Sequence, residues 1–396
     1  MARSSRSRRR LRRYRTGKRG RRRSIMSTAA GPWLVIAGCV VGIAAVAAAV
    51  IFLVAPLFNM PAEEPEPTMV AAEPQETPEP HRIQIVELGA LQTEMDLGKR
   101  YISSPWFFGD LMVFSAGTDG AGGPQMTDLY LYDSAAGGSP ERIAIDLEND
   151  DFFSLRMNEN WLVFLDGKRQ GGGLIKAYNR QSGQVKLIKE CFAAQPVLSL
   201  MDDLVVWTER TGTYMDKLYA YDLASGESVT LATFESSRYG QSDPFAAGGE
   251  IIWAEADPAQ GEGESARSVI RSIRTDGSGE IQSFPAGTYV HDPVTNGSAW
   301  AWIDSDHQQG AKLYVSVERK EPFVLAEDVL AYGITEDFLA YQKGDSIYVY
   351  FFEDGYEQLI TPARELTQLV SVCADKVLWY ETGISSRDVL KYAPIS

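Results

Sequence analysis

Three side chains with acid–base or metal-binding chemistry stand immediately before repeated phrases of this chain. Asp243 precedes the phrase PFAAGGEIIW, and His291 and Asp292 precede the phrase PVTNGSAWAW. Carboxylates and imidazoles can bind a cation or a polar ligand, and a pair of carboxylates can also work as general acid and base. Together with Asp150 and Asp151, these residues predict a polar arc that binds a ligand. The simpler interpretation is that Asp and Ser before Pro only open turns.

The arc depends on a ten-residue phrase that occurs seven times. Each copy has an apolar stretch, a small or acidic turn pair, a second apolar stretch and a closing aromatic residue. The closing residues lie roughly 38 to 50 positions apart, which is the spacing of four-stranded propeller blades. They are Phe114, Phe164, Trp207, Trp253, Trp302, Tyr341 and Trp379.

Each phrase predicts two short strands joined by a tight turn, followed by a third strand such as LYAYD from Leu218 and a fourth after a Ser-Gly turn. The sequence therefore predicts an all-β, seven-bladed propeller, and a count of six or eight blades is the alternative. No fourth strand fits after Tyr392, so an N-terminal strand should close the ring and remove an exposed edge. Segments 82–88 and 91–97 both suit that role. In a propeller the loops before the inner strands converge on one face of the channel, where we expect the polar arc.

Charge and hydropathy divide the chain before the propeller. Residues 1–23 hold 13 Arg and Lys and no acid, whereas the rest of the chain has a net charge of −28. Residues 33–58 form an uncharged apolar run long enough to cross a membrane of about 30 Å hydrocarbon thickness. The positive-inside rule then puts a basic tail, residues 1–32, in the cytoplasm and everything after the span outside the cell membrane. Residues 59–80 alternate Pro with Glu, which predicts a disordered linker before an extracytoplasmic domain at 81–396.

Two other fates of the apolar run stay open. The tetrapeptide IAGC ending at Cys39 is similar to a lipoprotein signal, although the apolar run continues for about 19 residues beyond the cysteine. A cleaved secretory signal is the second alternative, although its apolar core would typically be shorter, about 7 to 15 residues.

The basic tail has three interpretations: it sets topology only, it contacts anionic lipid, or it binds nucleic acid. Only one aromatic residue, Tyr14, lies among the bases, so nothing favours stacking on nucleotides. We therefore expect topology with lipid contact and disfavour nucleic acid. The candidate lipid-contacting residues are Arg19, Arg21, Arg22 and Arg23.

Residues 198–233, LSLMDDLVVWTERTGTYMDKLYAYDLASGESVTLAT, resemble the repeat of extracytoplasmic TolB-like and WD40-like propellers. The likeness rests on Trp207, on the LYAYD strand and on the Ser-Gly turn, and it is specific only in the third blade. The Ser-Pro-Asp-Gly turn of TolB itself is absent. The resemblance implies an interaction-making propeller and transfers no catalytic residue.

No His/Cys metal spacing, nucleotide-binding glycine loop or nucleophile elbow occurs in the sequence. We therefore expect no cofactor, no metal and no catalytic residue, and a non-enzymatic module that binds or scaffolds a protein, glycan or cell-wall component. The alternative is a hydrolase or lyase that acts on extracellular polysaccharide through Asp243 and Asp292. A sensor that signals to the basic tail is a third hypothesis, disfavoured because a Pro-Glu linker couples poorly.

Overall fold

The protein folds into seven β-sheets arranged as propeller blades. All regular structure in the described part of the chain is β-strand. This part of the chain therefore contains no helix that could span a membrane. The basic tail, the apolar segment 33–58 and the linker lie outside that part. The computed structural model describes residues 83–85, 92–120, 123–192, 194–257, 259, 267–276, 278–284, 287–306, 310–361, 367–382 and 388–395.

Each blade is a four-stranded antiparallel meander that begins with its inner strand. Blades one to three contain β3 (Tyr101–Phe108), β4 (Leu111–Gly120), β5 (Gly123–Asp133) and β6 (Glu141–Ile143), then β7 (Asp151–Met157), β8 (Trp161–Gly167), β9 (Gly173–Asn179) and β10 (Val185–Cys191), then β11 (Ser199–Met201), β12 (Leu204–Arg210), β13 (Met215–Asp222) and β14 (Ser228–Glu235). Blades four and five contain β15 (Phe245–Ala247), β16 (Glu250–Ala256), β17 (Ser268–Arg274) and β18 (Gln282–Phe284), then β19 (Val290–Thr295), β20 (Ala299–Asp306), β21 (Gly310–Val317) and β22 (Phe323–Glu327). Blade six contains β23 (Val329–Ile334), β24 (Phe338–Lys343), β25 (Ser346–Phe351) and β26 (Glu357–Thr361), and blade seven contains β27 (Thr367–Cys373), β28 (Lys376–Thr382) and β29 (Asp388–Pro394).

An N-terminal strand completes blade seven and closes the ring, as the sequence predicts. This strand is β2 (Thr93–Met95), which pairs antiparallel with β29, so segment 91–97 is the one that closes the ring. Met95 at the end of this strand and Leu97 just after it are buried. The earlier strand β1 (Ile83–Ile85) instead adds a fifth, parallel strand to the outer edge of blade six. Both N-terminal segments therefore cover sheet edges that would otherwise stay unpaired.

The seven closing aromatics are buried in the core, which confirms the repeat count. Four of them stack on the tyrosine paired with them in the third strand, and Trp207 and Tyr219 show the geometry with ring centres 5.4 Å apart. Three of the tryptophans also donate their indole N–H to a glutamate two residues later, as Trp207 does to Glu209 at 2.8 Å. The pattern gives each of these three indoles a partner for its one polar atom.

The two cysteines of the propeller, Cys191 and Cys373, are buried and free. The ring is therefore held by strand pairing and side-chain packing, without a disulfide between them.

Candidate functional site

The inner strands of blades one, two and five share a bulge at the point where the chain enters the channel. In β7 the register with β8 shifts between Phe153 and Arg156, and Ser154 within the bulge has a φ of 50°. Ser104 and Asp292 occupy the equivalent positions with φ of 52° and 48°. A non-glycine residue rarely adopts this left-handed conformation, so the surrounding structure must hold it. All three residues line one cavity.

This cavity has a volume of about 790 Å³ and lies where the seven inner strands begin. It is a space of the size that small-molecule ligands occupy. Each blade contributes to its wall, through Trp106, Arg156, Ser199, Phe245, Asp292, Tyr332 and Val372 among others. The arc predicted from the sequence falls at this end of the channel.

Three of the five predicted ligand residues line the cavity: Asp243, His291 and Asp292. Asp150 and Asp151 do not. Asp151 is buried and forms an ion pair with Arg169 at 3.0 Å. Asp150 accepts a hydrogen bond from the main-chain N–H of Arg169. The structure therefore gives both aspartates partners in blades one and two, outside the lining of the cavity. Their role as ligand residues stays a prediction.

Asp292 is held by contacts on both carboxylate oxygens. Oδ1 accepts the main-chain N–H of Asp243 at 2.8 Å, and Oδ2 lies 2.9 Å from Nδ1 of His291. The main-chain N–H of Asp292 donates to the hydroxyl of Ser242 at 2.6 Å. These bonds join the loop before β15 to the start of β19. Asp292 therefore fixes the position of the cavity wall and also contributes a negative charge to it.

His291 is oriented from three sides. A carboxylate only accepts, so Nδ1 donates to Asp292, and in the neutral ring Nε2 then accepts from the hydroxyl of Ser305 at 3.0 Å. The ring of Tyr239 stacks on the imidazole with its centre 3.6 Å away. The result is a fixed carboxylate, imidazole and hydroxyl on one wall of the cavity.

Asp243 differs from Asp292 because its carboxylate has no hydrogen-bond partner among the described residues. Burial raises the pKa of this carboxyl to about 7, the charge of Asp292 adds to the rise, and the charge of Arg156 opposes it. The group therefore exchanges its proton near neutral pH, inside the cavity.

Arg156 is the cationic side chain of the cavity wall. Its Nη1 donates to the main-chain carbonyl of Leu155 at 2.8 Å, and its guanidinium carbon lies 4.4 Å from the ring centre of Trp106. Burial lowers the pKa of Arg156 to about 10, against the opposing effect of Cys373 and Asp243. The side chain stays charged at neutral pH, and it has no carboxylate within ion-pair distance in the described part of the protein.

Aromatic side chains stand exposed at the same end of the propeller. Tyr239 is 51% exposed and also lines the cavity, and Phe192 and Tyr214 are 80% and 68% exposed. Phe192 follows the outer strand of blade two, and Tyr214 lies in the loop between the second and third strands of blade three; both connections open at the end where inner strands begin. We call these three residues the aromatic rim.

Sequence reasoning missed Arg156 and the aromatic rim. A signal existed for Arg156, since it is a charged residue at the position of its phrase where blade one has Trp106. No local signal marks Tyr239, because its stacking on His291 joins residues about 50 positions apart. No group of three metal-ligating side chains occurs among the residues that the structure describes.

The similarity of this chain to known proteins is limited to its fold. No protein-family profile and no curated protein matches the chain. Among solved structures, the β-propeller domain of the Trilobed protease from Pyrococcus furiosus, described as having an open velcro topology, is similar with a TM-score of 0.58 and 12% identity, over 74% of this chain and 95% of that one. The Pyrococcus horikoshii acylaminoacyl peptidase has a TM-score of 0.56 and 12% identity over 74% of this chain, which spans only 51% of the peptidase.

The TolB structure from Acinetobacter baumannii overlaps less well, with a TM-score of 0.41 and 11% identity over 67% of this chain and 59% of that chain. At these identities the likenesses to the protease and peptidase structures show the fold alone. The resemblance to the TolB repeat therefore remains the sequence likeness of residues 198–233.

Proposed function

We propose that this chain is a membrane-anchored extracytoplasmic propeller that uses the cavity end of its ring to bind or scaffold a protein, glycan or cell-wall component. The observation that carries the proposal is the cavity itself, in which Arg156 and Asp243 have no ionic partner among the residues that the structure describes. Charged groups taken partly out of water are costly unless something pairs with them, and a ligand can supply that pairing. The aromatic rim adds apolar contact surface beside the charges.

The organisation of the chain supports an external position. The basic tail fixes the orientation of the apolar segment 33–58, and Arg19, Arg21, Arg22 and Arg23 contact anionic lipid on the cytoplasmic side. The linker holds the propeller away from the membrane. Protease treatment of intact cells should cut the linker or the propeller, and the mass of the mature chain should include the apolar segment. Protection of the propeller in intact cells would contradict this topology.

The binding role is tested with the full chain in detergent and with fractionated cell-envelope extracts. We expect the wild-type chain to retain a component that the double variant Arg156→Gln, Asp243→Asn does not retain. The matched control is Arg274→Gln with Asp202→Asn, which makes the same two charge changes at exposed positions of the opposite end. Retention of nothing by the wild-type chain, or equal loss in both double variants, would contradict the proposal.

An enzyme is the second candidate, and two observations favour it. Asp243 has a pKa near neutrality beside a second carboxylate, which is the arrangement of a general acid with a base. The order Asp292, His291, Ser305 also matches the carboxylate, imidazole and hydroxyl of an acyl hydrolase, which would cleave ester substituents rather than glycosidic bonds. A polysaccharide hydrolase or lyase would lose its activity in the double variant Asp243→Asn, Asp292→Asn with unchanged folding. Activity that survives this variant would exclude these aspartates.

A further inference from the structure

Two opposite charges share the cavity without neutralising each other. Arg156 and Asp243 both line it, and no ion pair within 4.0 Å joins them. Each nevertheless favours the charged form of the other. The two groups are therefore close enough to interact across the cavity and too far apart to pair directly.

Each group keeps hydrogen-bonding capacity that no described residue uses. A guanidinium has five N–H donors, and among the described residues Arg156 has a single acceptor, the carbonyl of Leu155. The face of the group is covered by Trp106, which leaves its edge for a planar anion. The carboxylate of Asp243 has no donor among the described residues, while Asp292 beside it is already occupied on both oxygens.

We propose that the cavity binds a small zwitterion, with a carboxylate of the ligand on Arg156 and an ammonium group of the same ligand on Asp243. The inference rests on the proposed binding function and names the chemistry of its ligand. A free amino-acid derivative and a short wall peptide with free ends offer the same two groups. The ligand bridges the two charges that the protein leaves apart.

The charge of the whole propeller favours a zwitterion over an anion. Residues 81–396 contain 25 bases and 47 acids, a net charge of −22. A field of this sign repels a polyanion at long range, whereas a ligand without net charge approaches freely and finds its anionic partner only inside the cavity. The negative potential of Asp292 next to Asp243 likewise favours the ammonium end at that wall.

The experiment uses ω-amino acids from glycine to 8-aminooctanoate, which vary the separation of the two charges, and measures binding to the full chain in detergent by calorimetry. The best member is then compared with its N-acetyl form, which lacks the ammonium, and its amide, which lacks the carboxylate. We expect each blocked form to bind at least about tenfold more weakly. Arg156→Gln should abolish the discrimination against the amide, and Asp243→Asn should abolish the discrimination against the N-acetyl form.

Triglycine with free ends, tested beside the free amino acids, separates the two sources of the ligand. The blocked forms test the wild-type chain, so the result does not depend on whether a variant folds. Equal binding of free and blocked forms, or no binding at millimolar concentration by any free form, would overturn the zwitterion. Retention of an envelope component by the wild-type chain in spite of that result would leave the binding function standing and exclude only this ligand chemistry.

Discussion

The hydroxyl of Tyr332 in blade six donates a hydrogen bond to the main-chain carbonyl of Asp292 in blade five. Burial raises the pKa of Tyr332 well above its ordinary value, with a further rise from the charge of Asp292, so the hydroxyl keeps its proton over the whole accessible pH range. This bond joins two blades at the bulge that forms the cavity wall. The stability of the ring and the shape of the site are therefore linked at one residue.

Tyr332→Phe should lower the free energy of unfolding by about 1–2 kcal/mol, because it leaves the carbonyl of Asp292 without its donor. Urea unfolding of the full chain, followed by tryptophan fluorescence, measures the change. Tyr348→Phe is the matched control, since the hydroxyl of Tyr348 has no hydrogen-bond partner among the described residues. Equal effects of the two substitutions would show that the bond to Asp292 contributes nothing.

Asp243 should make the stability of the propeller depend on pH. Its pKa is 3.8 in its ordinary state and about 7 in the fold, so the folded state binds the proton more tightly. The stabilisation of the fold by this tighter proton binding is fully present below about pH 4, and it is lost as the pH rises through about 7. Asp292 and Arg156 act on this carboxyl through their charge, and His291 lines the same cavity.

Asp243→Asn removes this dependence, so at pH 8 the variant should be more stable than the wild type by up to ~4 kcal/mol. At pH 4 the two should unfold alike. Asp202→Asn, at an exposed position, serves as the control and should leave the free energy of unfolding unchanged at both pH values. A variant no more stable than the wild type at pH 8 would mean that Asp243 is ionised without cost in the cavity.

Because β2 closes the ring, this short strand should control the stability of the whole propeller, although it is far in sequence from the other strands of blade seven. Met95→Ala should lower the free energy of unfolding by about 2–5 kcal/mol, because this buried side chain packs against the first and last blades. Glu94→Gln, at an exposed position of the same strand, should have little effect. Equal melting temperatures of the wild type and Met95→Ala would indicate that the ring is closed by other contacts.

The repeat made most of the fold predictable. The closing aromatics mark positions where each blade buries a large ring, and local alternation with a turn pair is enough to identify a hairpin. The choice between segments 82–88 and 91–97 was not predictable, because both have short strand patterns. It depends on pairing with β29, about 300 residues away, and the structure uses the second segment there and pairs Ile83–Ile85 with blade six.

The site was predictable in position and less so in composition. The rule that inner strands begin at the channel correctly brought Asp243, His291 and Asp292 together. The same rule did not separate them from Asp151, whose carboxylate is occupied by Arg169. Arg156 was missed because its significance lies in having no ionic partner within the described blades, which is a property of the assembled ring.

Photo-cross-linking from the aromatic rim tests the central claim most directly. Tyr239 is replaced by a photo-reactive phenylalanine derivative in the full chain in its own cells, and Val324, exposed on the outer strand of blade five, is replaced as the control. After irradiation the intact mass of the chain is measured, which detects a small ligand as well as a protein or glycan. The account predicts an adduct of defined mass at position 239 and none at 324. No adduct at either position, or the same adducts at both, would contradict a binding role for the cavity end of the propeller.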